Sequence, residues 1–356
     1  MKVLLYAYSP VLGGTLRHAV ALASSLKAKG HETLLVGNRL PEIAENVSRM
    51  SRAAIDFRPL AVEGKHDLGG LWRFRTLLKQ ERPDVVHFHL GNTFESLPPL
   101  FMALFMGFPV IVTEHYLPFP LGRQRLLPLL AKRLAAKKIR KVILLGEVFI
   151  SPYRRLVKIN AEKIAVIPPF SEVINGSDRY GNRRVIGFAG SFSTAKGVDS
   201  LVLFAPRLID LDYSIIFCGR GELEGEIDRM AERYPDKIEK RFYTGGMAPF
   251  YKDIGILLFL SRSEGLPLVV VEAISAGVPV ISTRVGVLEE YFKEGEGILY
   301  LPAIGSDLIV SALQKLADEE LREHTVRLGK EIFKRRLAPA KIIMQIEALY
   351  QELGMI

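Results

Sequence analysis

Short apolar stretches that alternate with helical stretches constrain the fold of this chain more than any other feature of its sequence. The first apolar stretch, 2–7, precedes an amphipathic helix over 15–29, and another follows at 33–36. Strands that alternate with helices pair in parallel through crossover connections, which predicts a doubly wound sheet. The alternation starts again at 184–189, after the polar and aperiodic segment 171–184. The sequence therefore predicts an α/β protein with two doubly wound, Rossmann-like domains.

The other predicted elements continue this alternation in both halves. Further strands are predicted at 85–88, 110–113, 141–145, 164–167, 214–218, 254–260 and 278–282. Further helices are predicted near 100–106, 197–208, 223–233, 267–276, 307–317 and 338–353.

The length of 356 residues also favours two domains, since one domain usually has about 100 to 150 residues. We place an N-terminal domain at 1–170 and a C-terminal domain at 171–337. The segment 338–356 contains a helix with an apolar stripe, which we expect to pack back on the N-terminal domain. Because ligands of doubly wound sheets bind beyond the carboxyl ends of the strands, we expect a site in a cleft between the two facing domains.

Positive charge is concentrated in the first half of the chain. The net charge is +9, but residues 1–170 contain 25 basic and 12 acidic residues, whereas the remainder contains 23 basic and 27 acidic residues. This asymmetry predicts that the first domain binds an anionic partner. That partner is a membrane surface, a nucleic acid or a phosphorylated substrate.

Many of these cations lie in the segment 123–141, where leucines are interspersed among them and acidic residues are absent. Two interpretations remain open. The segment binds anionic lipid as a basic amphipathic element, or it packs its leucines on its own domain. Nucleic acid is not predicted as a partner, because no aromatic residue lies between Phe119 and Phe149 to stack on bases. The basic residues are Arg123, Arg125, Lys132, Arg133, Lys137, Lys138, Arg140 and Lys141.

Secretion and membrane insertion are not predicted. The N-terminal apolar run is too short for a signal peptide. The most membrane-like stretch, 96–113, is interrupted by Pro98, Pro99 and Pro109. The single cysteine, Cys218, cannot form an intrachain disulfide. We expect a cytoplasmic protein that is soluble or peripheral on the cytoplasmic face of the membrane.

The segment 258–282 predicts a ligand site. A buried strand ends near Ser261, a glycine turn follows, and Pro267 suits the first turn of the next helix. The start of a helix presents unpaired N–H groups and a positive dipole end, which bind phosphate. Glu264 lies in the turn and Glu272 about one and a half turns into the helix, so both can reach one ligand. Carboxylates there suit the hydroxyls of a sugar or ribose, whereas the alternative is that both glutamates are solvated.

This segment resembles the Glu-x7-Glu signature, and the helix and Ala-Gly-x-Pro-Val sequence after it, of the retaining glycosyltransferases of family 4, which have the GT-B fold. The resemblance extends over nearly the whole chain, and the Glu-x7-Glu segment is its most specific part. The other similar motifs are Leu12-Gly13-Gly14, Lys29-Gly30-His31-Glu32, Asp84-Val-Val-His87-Phe-His89, Val112-Thr-Glu-His115, Gly187-Phe-Ala-Gly190-Ser191-Phe-Ser-Thr-Ala-Lys196-Gly197 and Phe217-Cys-Gly219-Arg-Gly221.

The resemblance implies a role for each matching residue. Glu264 would hold hydroxyls of the donor sugar, and the amides of 265–268 would meet the diphosphate. Glu272 would accept the ribose hydroxyls, and Lys196 would neutralise the departing diphosphate. His115 would lie over the donor sugar near the reacting carbon. The implied catalytic residues are His115, Lys196 and Glu264, and the implied donor-binding residues are Gly13, Gly14, Gly190, Ser191, Lys196, Gly219, Glu264, Gly265, Leu266, Pro267, Leu268 and Glu272.

The resemblance also implies the reaction mode. Such enzymes need no metal ion and no cofactor besides the nucleotide-sugar donor. Retention is ascribed to attack on the face that the diphosphate leaves, with a donor phosphate oxygen taking the acceptor proton. No enzymic nucleophile is therefore required.

One position departs from the family pattern. Ser191 stands where the family usually has arginine, so one of the two cations expected on the leaving group is missing. Loss of such a donor costs a transition state about 3 kcal/mol. We hypothesise that Arg220 or Arg262 substitutes for it, and the alternative is that both arginines are solvated loop residues.

Two patterns are typical of metal sites but do not predict one here. Asp210-Leu-Asp212 has the Asp-x-Asp form of metal-dependent glycosyltransferases, but it precedes a strand, at the end opposite the predicted site, and we expect a solvated loop. His87 and His89 alternate along a strand and, with His115, offer ligands that suit zinc. No cysteine or nearby carboxylate completes that set, so we predict no metal.

The sequence thus predicts a retaining glycosyltransferase that moves a sugar from a nucleotide-sugar donor to a lipid-linked or envelope glycan. Its expected partners are that donor, a glycan or glycolipid acceptor and an anionic membrane surface. A nucleotide-sugar epimerase or an inverting transferase has the same fold, but the Glu-x7-Glu segment argues against both. A nucleotide-sugar-binding protein without activity stays open because of Ser191.

Overall fold

The chain forms two compact units, which are Met1–Ser171 together with Pro339–Ile356, and Glu172–Ala338. The first unit is therefore built from two separate stretches of the chain. Of residues 126–128, only the backbone is described. The computed structural model describes residues 1–9, 13–50, 55–60, 62, 67–91, 96–117, 126–171, 182–243 and 246–354.

The described residues of the first unit form seven parallel strands. They are β1 (Lys2–Ala7), β2 (Glu32–Gly37), β3 (Asp56–Pro59), β4 (Val85–Leu90), β5 (Val110–Glu114), β6 (Lys141–Leu144) and β7 (Ile164–Val166). Their order in the sheet is β3-β2-β1-β4-β5-β6-β7. β4 and β5 are buried along their whole length, as expected for a parallel sheet covered by helices on both faces.

In the part of the chain that the structure describes, six helices connect these strands. They are α1 (Gly14–Ala28), α2 (Pro41–Met50), α3 (Leu68–Glu81), α4 (Leu97–Phe105), α5 (Leu126–Lys138) and α6 (Ile150–Val157). α4 begins three residues before the predicted start at 100, because Pro98 and Pro99 fit the first helical turn, where their missing N–H groups lose no hydrogen bond. Among the described residues, no helix is both long and apolar enough to cross a membrane.

Within residues 182–243 and 246–338, the second unit contains six parallel strands in the order β10-β9-β8-β11-β12-β13. These strands are β8 (Asn182–Ala189), β9 (Ser214–Cys218), β10 (Ile238–Arg241), β11 (Ile254–Phe259), β12 (Val280–Thr283) and β13 (Ile298–Leu301). The helices of this unit are α7 (Val198–Asp210), α8 (Glu224–Arg233), α9 (Ala248–Asp253), α10 (Leu268–Ala276), α11 (Leu288–Tyr291), α12 (Ser306–Ala317) and α13 (Glu319–Ile332).

The start predicted for β12 at 278 is wrong by two residues. The Val278 amide donates to the Ala273 carbonyl at 2.8 Å, which closes the end of α10, and Gly277 there has a φ of 82°. Val278 therefore belongs to the helix terminus. β8 begins at Asn182 rather than at 184.

The last helix, α14 (Pro339–Glu352), belongs to the first unit. Ile342, Ile346 and Leu349 share one buried apolar cluster with α1 residues such as Val20. At the helix surface, Lys29 donates to Glu347 at 2.6 Å. The apolar stripe of this helix thus completes the core beside α1.

Each sheet reverses its strand order between its first and fourth strands, which are β1 and β4 in the first unit and β8 and β11 in the second. Both sheets therefore have the doubly wound order, and the prediction of two such sheets is confirmed. Ligands of these sheets bind beyond the carboxyl ends of the strands, where the order reverses. In the second unit, that edge carries the loops that follow β8 and β11.

Candidate functional site

Lys196 and Glu264 meet where the strand order of the second sheet reverses. Lys196 ends a short 3-10 turn after β8, and Glu264 lies in the turn after β11. Lys196 Nζ forms an ion pair with Glu264 Oε1, and Ser261 Oγ donates to the same oxygen at 2.9 Å. The two charged side chains are 29% and 13% exposed, so solvent reaches both. This places an accessible cation and a hydroxyl-accepting carboxylate in one cluster.

Gly286 supports this turn from the neighbouring loop. A Cβ atom at this position would lie 1.8 Å from the Gly265 carbonyl oxygen, and the φ of Gly286 is 59°. The next amide, that of Val287, donates to the same oxygen at 3.0 Å. Only glycine allows this approach, so the loop after β12 holds the backbone that follows Glu264.

The N-terminus of α10 lies directly after that turn. The helix begins at Leu268, and Pro267 occupies the N-cap position rather than the first helical turn, where it was predicted. The first amides of a helix have no intrahelical acceptors, and the dipole makes this end positive. Its first turn contains no acidic residue. Gly265, Leu266 and Leu268 thus adjoin an end that favours an anion.

Glu272 is buried in α10, at 1% exposed, so the interpretation of it as a solvated residue is wrong. Tyr251 OH donates to Glu272 Oε2 at 2.9 Å. Burial of a carboxylate is unfavourable without such hydrogen bonds. The two glutamates of the signature therefore have different surroundings.

The loops after β8 and β9 lie in close contact. A Cβ atom on Gly219 would lie 1.9 Å from the Gly190 carbonyl oxygen, and one on Gly221 would lie 2.6 Å from that of Phe192. This packing accounts for glycine at 219 without a ligand. At Gly190, whose φ is 150°, an added Cβ would meet only the Phe188 ring within 4 Å, at an ordinary contact distance of 3.8 Å. Ser191 is exposed, and its Oγ lies 3.3 Å from that of Ser193.

In the first unit, the predicted residues are found near the end of β1 and directly after β5. Gly13 is the N-cap residue of α1, with an extended backbone, and Gly14 is exposed. Leu12 of the same motif lies outside the described residues. His115 follows β5, and its amide donates to the Leu90 carbonyl at 2.9 Å.

His115 belongs to a cluster of four histidines with His18, His87 and His89. Their rings pack with centroids 4.6 to 5.5 Å apart in four contacts. Burial lowers the pKa of His87 and of His115 to about 3. Burial also lowers the pKa of His18 and of His89. All four rings are therefore neutral near pH 7, and His18 is a member that the sequence did not indicate.

Two family models together match almost the whole chain. Residues 12–171 match the model described as Glycosyltransferase Family 4, and residues 170–335 match the model described as Glycosyl transferases group 1. The chain belongs to glycosyltransferase family 4.

Individual relatives match shorter parts. An uncharacterized glycosyltransferase of Methanocaldococcus jannaschii is 31% identical over an alignment of 172 residues, which covers 47% of this chain and 48% of that protein. One of the subunits of human phosphatidylinositol N-acetylglucosaminyltransferase is 24% identical over an alignment of 324 residues, which covers 84% of this chain and 65% of that protein. The chain thus spans about half to two thirds of the length of these curated relatives.

A solved structure agrees over the full length. The crystal structure of Anabaena HepE in complex with UDP-glucose matches with a TM-score of 0.79 and 15% identity, covering 99% of this chain and 100% of that one. Together with the two Rossmann-like sheets, this match shows the GT-B fold, as predicted.

The two arginines proposed to replace the missing cation near Ser191 differ in their contacts. Arg262 donates to both carboxylate oxygens of Asp199, at 2.8 and 2.7 Å, and its hydrogen bonds to Asp199 raise its pKa. Such a bidentate pair is strong, so Arg262 is already engaged. Arg220 lies over the Phe242 ring, 4.2 Å from its centre. In the described part of the chain, no carboxylate pairs with Arg220.

One cation of the basic segment is part of the core of the first unit. Lys132, at 1% exposed, forms an ion pair with Glu114, which is also 1% exposed. Tyr153 OH donates to the same carboxylate at 2.9 Å. A buried carboxylate needs such partners, so Lys132 is required for packing and not for an external ligand.

The opposite face of α5 is exposed. Leu130 and Leu134 are 51% and 60% exposed, and Lys137 and Lys138 follow on the same side at helical spacing. Packing on its own domain therefore describes one face of α5, and binding of anionic lipid stays a prediction for the exposed face. Arg123 and Arg125 lie outside the described residues.

The Asp-x-Asp sequence is exposed, as predicted, but Asp210 is the last residue of α7 and the loop begins after it. Asp212 is 78% exposed and pairs with Lys237 at 2.6 Å. It precedes β9, at the edge opposite Lys196 and Glu264.

Proposed function

We propose that this protein is a retaining glycosyltransferase that moves a sugar from a nucleoside-diphosphate sugar to a lipid-linked or envelope glycan. The observation that carries the proposal is the cluster of Lys196, Glu264 and Ser261 beside the N-terminus of α10. The Glu264 carboxylate can accept hydrogen bonds from the hydroxyls of a sugar. Lys196 and the positive end of α10 can attract the phosphates of the donor.

In the proposed reaction, the bond between the anomeric carbon and the diphosphate breaks while the acceptor oxygen bonds to that carbon on the same face. Lys196 and the first amides of α10 stabilise the charge that develops on the diphosphate. Glu264 accepts hydrogen bonds from the donor sugar, and a phosphate oxygen takes the acceptor proton. No metal ion takes part, and Arg220 supplies the second cation in place of Ser191.

Glu272 is proposed to accept the ribose hydroxyls while keeping its hydrogen bond with Tyr251. A carboxylate has about four lone-pair sites, so both contacts are compatible. Because the side chain is 1% exposed, it has to become accessible when the donor binds.

Donor binding is tested by thermal shift with UDP-, GDP-, ADP- and TDP-sugars. A ligand that binds the native state raises the melting temperature, and the structurally similar HepE forms a complex with UDP-glucose. We expect one nucleotide to stabilise the protein clearly more than the others. No shift with any of these donors would count against the proposal.

Turnover separates an enzyme from a binding protein. Replacing Lys196 with Ala removes a cation from the leaving group, and we expect kcat to fall about 10²- to 10³-fold. Lys237→Ala removes a half-buried, Asp-paired lysine at the other edge of the same sheet and serves as the matched control. Donor binding without turnover in the wild-type protein, with any acceptor, favours the non-catalytic alternative.

The acceptor is proposed to be lipid-linked and handled at an anionic membrane surface. Support comes from the 25 basic and 12 acidic residues of 1–170 and from the exposed Leu130, Leu134, Lys137 and Lys138 on α5. Leucines insert among acyl chains while each nearby lysine contributes about 1 kcal/mol on anionic lipid. The name of the human relative also refers to a lipid, phosphatidylinositol.

Vesicle flotation tests this surface. We expect more protein on anionic than on neutral vesicles, and replacement of both Leu130 and Leu134 with Glu should abolish the difference. Leu203→Glu, at a leucine that is 73% exposed on α7, is the control. Equal flotation of the wild-type protein on both kinds of vesicle contradicts the membrane proposal but leaves the donor site unaffected.

A further inference from the structure

Three histidines from three segments meet at the carboxyl edge of the first sheet. His18 lies in the second turn of α1, His89 near the end of β4, and His115 directly after β5. His115 Nε2 lies 3.4 Å from His18 Nδ1 and 3.2 Å from His89 Nδ1. One nitrogen of each ring lies within 4.8 Å of the other two. His18 and His89 are buried, whereas His115 is half-buried, so the group is accessible on the side of His115.

Hydrogen bonds between neutral imidazoles account for only one of the two short contacts. Each ring nitrogen has a single in-plane position, which holds either a proton or a lone pair. His115 Nε2 therefore makes one linear hydrogen bond, with His18 or with His89, and faces the other nitrogen without one. A cation that accepts one lone pair from each ring accounts for both contacts.

Two of the three nitrogen–nitrogen separations suit a tetrahedral metal ion. Zinc–nitrogen bonds of about 2.0–2.1 Å place tetrahedral ligands about 3.3 Å apart, which is close to the separations of 3.4 and 3.2 Å. Three imidazole ligands with an open fourth position form a well-known type of zinc site. Imidazole selects zinc, copper or nickel rather than magnesium or calcium.

His87 stacks on His89 but is not a ligand. Its Nδ1 lies 2.8 Å from Tyr350 OH, and its Nε2 lies 2.8 Å from Thr113 Oγ1, so both nitrogens are already used. Nε2 of His18 and of His89 is buried without an acceptor in the described part of the chain. Lack of such outer acceptors costs a metal site about 10- to 100-fold in affinity, which indicates reversible binding.

We propose that His18 Nδ1, His89 Nδ1 and His115 Nε2 form a reversible site for Zn²⁺ or a similar transition-metal ion, with the fourth position open beside His115. The ion is not part of the proposed transfer reaction. Because it occupies the nitrogen of His115 that faces the other two rings, Zn²⁺ inhibits transfer, and only this consequence rests on the proposed function.

A titration of the metal-free full-length protein with Co²⁺ tests the site. We expect one equivalent to bind, with the visible absorption of a tetrahedral ion, and Zn²⁺ to displace it. His18→Phe and His18→Asn should weaken binding at least about tenfold. His324→Ala is the matched control, because His324 is exposed beside Arg327 in the second unit.

Absence of Co²⁺ and Zn²⁺ binding by the folded wild-type protein overturns the proposal, and so does binding that His18→Asn retains but His324→Ala loses. Should both His18 variants fail to fold, the wild-type titration decides alone. Where transfer is measurable, Zn²⁺ should inhibit the wild-type protein and not His18→Asn. Where no donor gives transfer, the Co²⁺ titration still tests the site.

Discussion

At the scale of single residues, the two glutamates of the Glu-x7-Glu signature lie in different environments although they are only eight positions apart. Glu264 shares a partly exposed cluster with Lys196, whereas Glu272 is buried and hydrogen-bonded by Tyr251. An unpaired buried carboxylate is unfavourable, so the Tyr251 hydroxyl is part of what allows this burial. Glu272 is therefore tied to the stability of the second unit as well as to the proposed donor contact.

Tyr251→Phe should lower the free energy of unfolding by about 1–3 kcal/mol, because it leaves a buried carboxylate oxygen without this donor. Urea unfolding measures the change. Tyr234→Phe is the control, since Tyr234 shows a ring contact with Arg233 and no hydroxyl hydrogen bond among the described contacts. Equal loss of stability in both variants would show that the Tyr251 hydroxyl contributes nothing specific.

A second residue-scale prediction separates the two roles of Glu272. Glu272→Gln keeps the volume and an acceptor for Tyr251 but removes the charge that strengthens ribose contacts. We expect it to weaken binding of the ribose form of the preferred donor more than that of the 2′-deoxy form. Calorimetric titration of both donors measures this, and Glu290→Gln, on α11, is the control. An equal loss of affinity for the ribose and the 2′-deoxy donor would show that Glu272 has only a structural role.

Sequence reasoning predicted Glu264 and the helix start after it, because strand, turn and helix are contiguous there, whereas Lys196 was implied by the family resemblance. It missed Ser261 and His18, whose contacts are set by tertiary packing. His18 approaches His115 across 97 positions of sequence, and no local pattern records such a contact.

At the scale of elements, predicted strands and helices are those with a continuous apolar run or a clear helical period. The apolar strand β13, with the sequence Ile-Leu-Tyr-Leu, was nevertheless not predicted. β3, with the sequence Asp-Phe-Arg-Pro, and β10, with Ile-Glu-Lys-Arg, were not predicted either. Both are edge strands, which carry charged residues because one side lacks a neighbour. Polar edge strands therefore escape a search for apolar runs.

The loop after β12 should control the turn that carries Glu264. Gly286→Ala places a Cβ 1.8 Å from the Gly265 carbonyl oxygen, and we expect a loss of about 1–3 kcal/mol from this overlap in addition to backbone strain. Gly295→Ala, with a φ of 83° and no atom within 4 Å of the added Cβ, isolates the strain alone. Urea unfolding and donor-induced thermal shift measure both variants. Similar losses of stability and similar thermal shifts in the two variants would mean that the turn carrying Glu264 tolerates displacement.

At the scale of the whole molecule, α14 belongs to the first unit although the second unit precedes it in sequence. The sequence predicted that the apolar stripe of this helix packs on the N-terminal domain. The structure shows that α1 is among the elements it contacts. Glu347 on α14 contacts Lys29 at 2.6 Å and His31 at 3.2 Å, just beyond α1. This ion pair therefore joins the two stretches that make up the first unit.

Attachment of α14 should weaken in acid. Burial disfavours ionised Glu347, but hydrogen bonds from Lys29 and His31 outweigh it and hold its pKa below the usual 4.5. The unfolded state then binds more protons in this window, so this stabilisation is present above pH 4.5 and is lost as pH falls through the folded pKa.

Glu347→Gln should reduce stability by about 0.5–1 kcal/mol at pH 7 and by progressively less towards pH 3, as followed by urea unfolding across this range. Glu331→Gln, at an exposed position of α13, is the control and should show no such trend. A difference from wild type that stays constant with pH would contradict the assigned pKa.

The position of α14 also sets the order in which the two units can be completed on the ribosome. Every residue of the second unit is translated before Ile342 and Ile346, which fill the core beside α1. The second unit can fold during translation as one contiguous domain. Until α14 is translated, the first unit is incomplete, and the apolar surface beside α1 that α14 covers is exposed. A nascent chain that stalls before residue 339 thus presents this apolar surface of the first unit to chaperones and proteases, even though the first unit is translated first.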